Sequence, residues 1–406
     1  MKTVIIGGGA AGMLCAYFCA KNGEQTILIE KNEKLGKKLY ITGKGRCNLT
    51  NDCSVEEFLS CVVTNPRFLT SALYSFSPDD VMNFFEGLGL TLKTERGNRV
   101  FPASDKSSDV IKCLEVALRG EGVTVKLNEK VLAVIANDGK ISGVKTQNGL
   151  YECDKVVICT GGASYPLTGS TGDGYTFAKS LGHSITSIRP ALCGLYLEGG
   201  DFASLAGLTL KNIAFYVHKD GKEIYRDFGE LLFTHQGISG PVVISASSYI
   251  SKAGEGEYLV SIDLKPALDE KTLDARILRD FSTYSNKALK NSLGDLLPRS
   301  LISEIISYSG LDGDKSNSII TSQDRKKLLS TLKNLRYKVK GLYPLDEAIV
   351  TGGGVNVKEI NPKTMQSKLI EGLYFAGEVI DVDALTGGFN LQCAFATAYL
   401  AGNSSK

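Results

Sequence analysis

Thr3-Val4-Ile5-Ile6-Gly7-Gly8-Gly9-Ala10-Ala11-Gly12 decides how the chain begins to fold. Four apolar or β-branched residues run into G-x-G-x-x-G, and an apolar stretch from Met13 to Lys21 follows. That order predicts a strand, a tight turn and a helix. Gly7 permits the turn, and Gly9 leaves the backbone bare where a pyrophosphate would approach. Gly12 lets helix and strand close together, while Ala10 and Ala11 open a helix whose free N–H groups suit an anion. A second apolar strand, Thr26-Ile27-Leu28-Ile29, ends at Glu30, 18 residues beyond Gly12. An acid there can accept from both ribose hydroxyls of an adenosine. The glycines alone are a weak signal. Strand, glycines, helix, strand and acid in this order predict a dinucleotide site, compatible with NAD or FAD.

Length and charge narrow the rest. A chain of 406 residues exceeds one compact core, so two or three domains are expected. The formal net charge of +2 gives no electrostatic reason to expect a nucleic-acid partner. Lys34, Lys37, Lys38 and Lys44 read as a solvated face or a rim beside the phosphates. The 10 cysteines form no CxxC pair and no signal peptide precedes the first strand, so they read as reduced thiols of a cytoplasmic protein. The 3 histidines, His183, His218 and His235, stand apart without ligand spacing, so no metal site is expected. No apolar run approaches the roughly 20 residues that span a bilayer. Nothing in the composition sets an oligomeric state.

Along the chain, Lys31 to Asn51 is too long and too polar for a plain connector and reads as a functional loop. Helical patterns follow near Val55–Leu59, Pro66–Tyr74 and Pro78–Leu88. Alternating segments from Val123 to Cys153 predict strands, with Asp138-Gly139 and Asn148-Gly149 as hairpin turns. Lys155 to Gly162 reads as a buried strand ending in a second glycine turn. From about Pro190 the pattern becomes antiparallel or barrel-like, and from Glu270 to Lys333 helical and charged. Ala348 to Gly354 and Gly372 to Glu378 return to buried strands with glycine ends. The simplest topology is a nucleotide-binding domain, 1–190 and 343–406, interrupted by an insert at 191–342.

Three segments resemble one flavoprotein family: Gly43-Lys-Gly-Arg-Cys-Asn-Leu-Thr-Asn51, Thr160 to Gly174, and Gly377 to Gln392. This is the HI0933-like group of FAD oxidoreductases, which includes bacterial 3-dehydro-bile acid Δ4,6-reductases and aminoacetone oxidases. The likeness covers essentially the whole chain, with Phe233 to Pro241 as the insert's marker. The resemblance implies an α/β fold: a discontinuous Rossmann-like FAD-binding domain of the glutathione-reductase type. Its insert would be β-barrel-like over 191–265 and helical over 266–342, covering the flavin.

Against that background each motif has a place. Glu378 is expected near a ribityl hydroxyl or the pyrophosphate, with Gly377 giving clearance. Asp383, Gly387, Gly388, Asn390, Leu391 and Gln392 open the last helix, whose N–H groups would face the flavin's pyrimidine edge and stabilise negative charge there. Thr160, Gly161 and Gly162 would bring backbone to the cofactor's middle. Val131 is a backbone contact for adenine, and Lys31 flanks the ribose unless it is simply solvated. Gly45, Arg46, Cys47 and Asn48 would line the reactive face, with Arg46 stabilising developing charge; the alternative is a salt bridge that anchors the loop. Cys47, without a partner thiol, reads as a small buried side chain. His235 and Tyr165 are candidate proton donors.

The expected reaction is hydride transfer from NAD(P)H through flavin N5 to an electron-poor acceptor such as a 3-oxo-Δ4,6 steroid or bile-acid enone. NAD(P)H would bind transiently, because Gly352-Gly353-Gly354 lacks the helix and trailing acid of a second nucleotide site. Alternatives are an aminoacetone or amine oxidase releasing peroxide, a tRNA-modifying flavoprotein, and a non-catalytic FAD-binding protein. The expected partner is a small-molecule substrate rather than nucleic acid or a membrane.

Overall fold

The opening strand forms because Lys2–Ile6 (β1) is sandwiched between two parallel neighbours and buried from Thr3 onward. In the computed structural model, which describes residues 1–404, the central sheet contains β1, β2 (Gln25–Ile29), β3 (Thr124–Lys126), β4 (Lys155–Ile158) and β5 (Leu373–Phe375). Their order is β5-β4-β1-β2-β3, all parallel. Val156, Val157 and Ile158 are apolar without alternation, as a strand covered on both faces requires. The order reverses direction between β1 and β4. Ligands of such sheets sit outside the strand ends at that switch point, and there the two glycine turns emerge.

Helix α1 (Ala10–Lys21) connects β1 to β2 and is buried from Ala11 to Cys19. It packs on α3 (Phe389–Asn403), and between them in sequence lies the short α2 (Lys37–Ile41). Both long helices are apolar nearly all round, as core helices must be. Phe18, Phe76 and Tyr399 lock them laterally, with Phe76 and Tyr399 stacked at 4.6 Å between ring centroids.

Two smaller sheets of the same unit matter for the site. Val131–Asn137, Lys140–Thr146 and Gly149–Glu152 form an antiparallel meander whose first turn uses Asp138 (φ 49°) and Gly139 (φ 75°). Arg189–Ala191 pairs antiparallel with Val350–Gly352. The strand read from Ala348 to Gly354 therefore joins this ribbon and not the central sheet.

The chain divides into two units, one from Met1–Ala191 and Pro344 onward, the other Leu192–Tyr343. The second unit is a closed six-stranded barrel with helices Pro241–Ala253, Glu270–Thr283, Arg299–Ser309 and Ser322–Lys333. Phe215, Phe233, Val217, Val260 and Ile262 fill its core. The helical reading of 266–342 needs correction at its end. Leu335–Leu342 is the barrel's closing strand, paired with both Leu195–Glu198 and Tyr258–Asp263. Leu335, Tyr337 and Val339 point inward while Arg336, Lys338 and Lys340 are exposed, a period of two that charged helical neighbours obscured. Among the described residues no helix is long and apolar enough to cross a membrane.

One buried group makes the first unit sensitive to acid. The His183 imidazole lies between the Glu359 carboxylate (3.2 Å) and Ser367 Oγ (2.8 Å), edge-on to Phe375. Burial holds its pKa below the ordinary value, against the opposing pull of Glu359. Below a pH of about 6.5, the unfolded chain takes the proton first, so stability falls with acidification until the folded imidazole also titrates. His183→Gln is expected to flatten this part of the stability profile, measured by urea unfolding from pH 8 down to about 5. An unchanged slope in the variant would remove His183 as its source.

Candidate functional site

The glycine turn after β1 is closed by its own sterics. A Cβ on Gly12 would stand 1.8 Å from the Gly7 carbonyl oxygen, so strand end and helix touch only because Gly12 is bare. Gly9 is different: a Cβ there would meet nothing within 4 Å. Gly9 is also the N-cap of α1 and makes no side-chain cap bond, so the first-turn N–H groups are left for a ligand. Glu30, buried at the end of β2, accepts from the Gly8 amide (2.7 Å) and from the Asn32 amide (2.8 Å) and side chain (2.7 Å). It braces the turn in addition to any ribose contact. The Asn128 and Glu129 amides donate to the Asn32 and Glu30 carbonyls, which brings Val131's segment alongside. Lys31, a quarter exposed, is engaged within the protein. Its ammonium pairs with Asp173 (2.7 Å) and Thr171 (2.6 Å).

The second glycine turn meets the late Gly-Glu. A Cβ on Gly377 would lie 2.8 Å from that of Ala11, and one on Gly162 would lie 3.1 Å from the Glu378 carboxyl carbon. Thus Ala11, Gly161, Gly162, Gly377 and Glu378, scattered over the sequence, form one neighbourhood. Thr160's hydroxyl is buried without a hydrogen-bond partner, facing Gly174, which leaves its backbone toward the turn. The Glu378 carboxylate is held by Lys38, Ser164 and the Thr351 amide. Lys38 was read as part of a solvated or phosphate-side rim; the structure turns it inward. Its identity as a partner had no signal in spacing.

The loop from Thr42 to Asn48 is strained and pinned. Gly43, Lys44 and Cys47 have φ of 56°, 58° and 60°, so two residues with side chains adopt the left-handed region. Arg46 engages Glu95 and Asp105 through Nε and Nη2, with its guanidinium 4.2 Å from the Phe101 ring centre. The loop-anchoring alternative describes these contacts. Cys47 is fully buried and burial pushes its thiol up to about 12, which suits a packing role. Gly45 is bordered by open space, and the Asn48 Oδ1 is buried without a hydrogen-bond partner.

At the start of α3, Gly387 and Gly388 have φ of 125° and 100°, and no side chain caps the helix. Its first N–H groups are therefore available. The amide side chains at this helix start are committed within the protein. Asn390 closes its own turn by bonding the Ala384 amide and carbonyl, while fully buried Gln392 bridges Thr50 and the Phe76 carbonyl. Leu391 is half-buried against the core, and Asp383 is buried with Arg189 3.7 Å away. Asn51, not foreseen, ties the Gly387 carbonyl to that of Gly97. Tyr165 caps a 3-10 turn at φ 52°, beside Ser164. His235 lies exposed in the second unit, on the turn between two barrel strands.

These features fit an extended dinucleotide: two uncapped helix N-termini, a bare backbone at Gly9, and an unpartnered amide oxygen at Asn48. The HI0933-like protein Rossmann domain matches residues 1–404. The chain belongs to this family. The HI0933-like chain is 32% identical over 413 residues to the 3-dehydro-bile acid delta(4,6)-reductase of Clostridium scindens, covering 99% of this chain and 98% of that one. It is 33% identical to the ribosomal RNA dihydrouridine synthase of Escherichia coli, over 98% and 96% of the two chains. A flavocytochrome c3 fumarate reductase superposes with a TM-score of 0.53 at 20% identity, over 99% of this chain and 77% of that one. The 3-ketosteroid-Δ4-(5α)-dehydrogenase of Rhodococcus jostii gives 0.52 at 14%, over 99% and 95%. This HI0933-like protein is an FAD-dependent oxidoreductase with a Rossmann fold.

Proposed function

We propose that this HI0933-like oxidoreductase is a reductase that saturates a carbon–carbon double bond conjugated to a carbonyl. Its hydride donor is NAD(P)H, and its substrate is a 3-oxo-Δ4,6 steroid or bile-acid enone. The observation that supports this is the end-to-end similarity to the Clostridium scindens reductase. The Escherichia coli relative favours a second reading, a uridine in ribosomal RNA. Dihydrouridine is uridine with one ring double bond saturated beside a carbonyl, so both readings share a bond change. Charge favours the small molecule. The first unit carries 26 Lys and Arg against 26 Asp and Glu, and the second 20 against 18. Neither has the cationic surplus that binding a phosphate backbone draws on.

Bound FAD would supply the hydride-transfer chemistry. The N-terminus of α1 would hold its pyrophosphate and that of α3 the pyrimidine edge, where the helix dipole favours negative charge. Arg46, paired with Glu95 and Asp105, would anchor the loop that lines the reactive face. Tyr165 is the proposed proton donor within the first unit, with His235 the other candidate.

Anaerobic mixing tests the reading. NADH or NADPH should bleach the yellow protein, and an enone should restore the colour with a product two hydrogens richer. Failure of both nucleotides to bleach it would exclude the proposed donor. Peroxide from small amines in air would instead identify an oxidase, and dihydrouridine appearing in ribosomal RNA would establish the second reading. Tyr165→Phe is expected to keep its FAD and lose about 100-fold or more in turnover. Unchanged turnover would pass the proton to His235.

A further inference from the structure

We propose that Lys38 is a positioning residue for FAD: it aims the Glu378 carboxylate so that one uncommitted acceptor site opens beneath Gly161, where a ribityl hydroxyl would be received. The proposal rests on FAD occupying the site described above. Its basis is the accounting of donors around two carboxylate oxygens.

Glu378 Oε1 accepts from Lys38 Nζ (2.9 Å), the Thr351 amide (2.9 Å) and Ser164 Oγ (3.3 Å). Among the described residues, Oε2 accepts from Lys38 Nζ alone, at 2.7 Å. A carboxylate offers about four acceptor sites, two on each oxygen, so Oε1 is saturated and Oε2 retains one. Gly161 (φ 74°) borders Oε2: a Cβ there would stand 3.9 Å from Oε2 and collide with Ser170 Oγ at 2.8 Å. A Cβ on Gly162 would collide with Thr351 at 2.3 Å, so the turn's approach to Glu378 requires glycine. The Glu378 side chain keeps 20% of its surface exposed.

Lys38 spends its three N–H donors on Oε1, Oε2 and Ser164 Oγ (2.8 Å). It thereby fixes the carboxylate's rotation and fastens α2, the start of the strained loop, to the turn after β4. The groups facing Glu378 are the Lys38 ammonium from α2, the Ser164 hydroxyl and the Thr351 amide, with the Tyr175 hydroxyl in electrostatic reach and Asp381 beyond it. Burial pushes the Glu378 carboxyl up; the charge and hydrogen bonds of Lys38, with Thr351 and Ser164, bring it below the ordinary range. Without Lys38 the burial remains, so the carboxyl takes up a proton closer to neutral pH.

The test is FAD binding to flavin-stripped protein, followed by quenching of flavin fluorescence from roughly pH 5.5 to 8. Lys38→Met is expected to raise the FAD Kd about tenfold or more at pH 7, the scale of a hydrogen bond to a charged group, and the loss should deepen as pH falls. Lys38→Arg keeps the charge and should bind with the wild-type pH profile. Lys38→Met/Glu378→Gln removes both charges, so it should fold even where the single variant does not, and bind weakly with no added pH dependence. A Lys38→Met profile parallel to wild type, or a double variant binding as tightly as wild type, would overturn the proposal. Wild-type protein that fails to quench flavin at all would instead sink the assignment of FAD to this site.

Discussion

Gly12→Ala is expected to weaken FAD binding sharply and to destabilise the first unit. The new Cβ would sit 1.8 Å from the Gly7 oxygen and 3.0 Å from its carbonyl carbon, and both are backbone atoms with no rotamer to yield. Relief requires α1 to move off β1, undoing packing that buries nine consecutive residues of the helix. A destabilisation of ~3 kcal/mol, the upper part of the range for overpacked cores, is expected. The melting midpoint should fall by roughly 10 °C for a unit of this size. Gly9→Ala, three residues earlier, should behave in the opposite way. Gly9 has φ −82°, open to any residue, and faces empty space. The stripped protein should therefore melt within about 0.5 kcal/mol of wild type, while FAD affinity drops because the methyl occupies the pyrophosphate's approach. Scanning fluorimetry with flavin titration reads both. Retained affinity in Gly9→Ala would move the cofactor away from α1.

Lys155→Met should cost at least as much by a different route. Lys155, first residue of β4, and Glu24 are 2% and 4% exposed and pair at 3.2 Å, with Lys155 also 4.9 Å from the Tyr374 ring centre. Glu24 accepts a bond from Thr3 on β1, so the pair stitches strand to strand beneath α1. Removing one partner leaves a charge buried, which costs ~3–5 kcal/mol. Lys155→Met/Glu24→Gln should recover much of that loss, since no charge then remains unpaired. Equal destabilisation in the single and double variants, measured by urea unfolding, would show that packing and not charge is at stake.

Legibility in the sequence followed the range of the forces. The β1–α1–β2 unit was readable because its residues contact each other within thirty positions and glycine has few structural substitutes. The return of Gly377 and Glu378 was readable as a motif, and the structure places Gly377 against Ala11. Side-chain allegiance was not readable. Lys38 finds Glu378 across 340 positions, Arg46 finds Glu95 and Asp105 across 49 and 59, and Asn390 and Gln392 satisfy backbone and Thr50. A lysine among lysines, or an amide at a helix start, has the same local pattern whether it faces water, protein or ligand. The closing barrel strand was missed for a related reason: its alternation spans only eight residues beside a charged helix.

The wrapping of the first unit also has a temporal consequence. Its central sheet takes β5 from Leu373–Phe375, and its first helix is covered by Phe389–Asn403, whereas the barrel unit is continuous from Leu192 to Tyr343. During synthesis the barrel can finish while the nucleotide-binding half still lacks an edge strand and the partner of α1. Until α3 arrives, Cys15, Phe18 and Cys19 remain without part of their cover. The later-made unit thus contains the earliest-made residues, and joining them across the intervening barrel is expected to make its assembly the slower of the two.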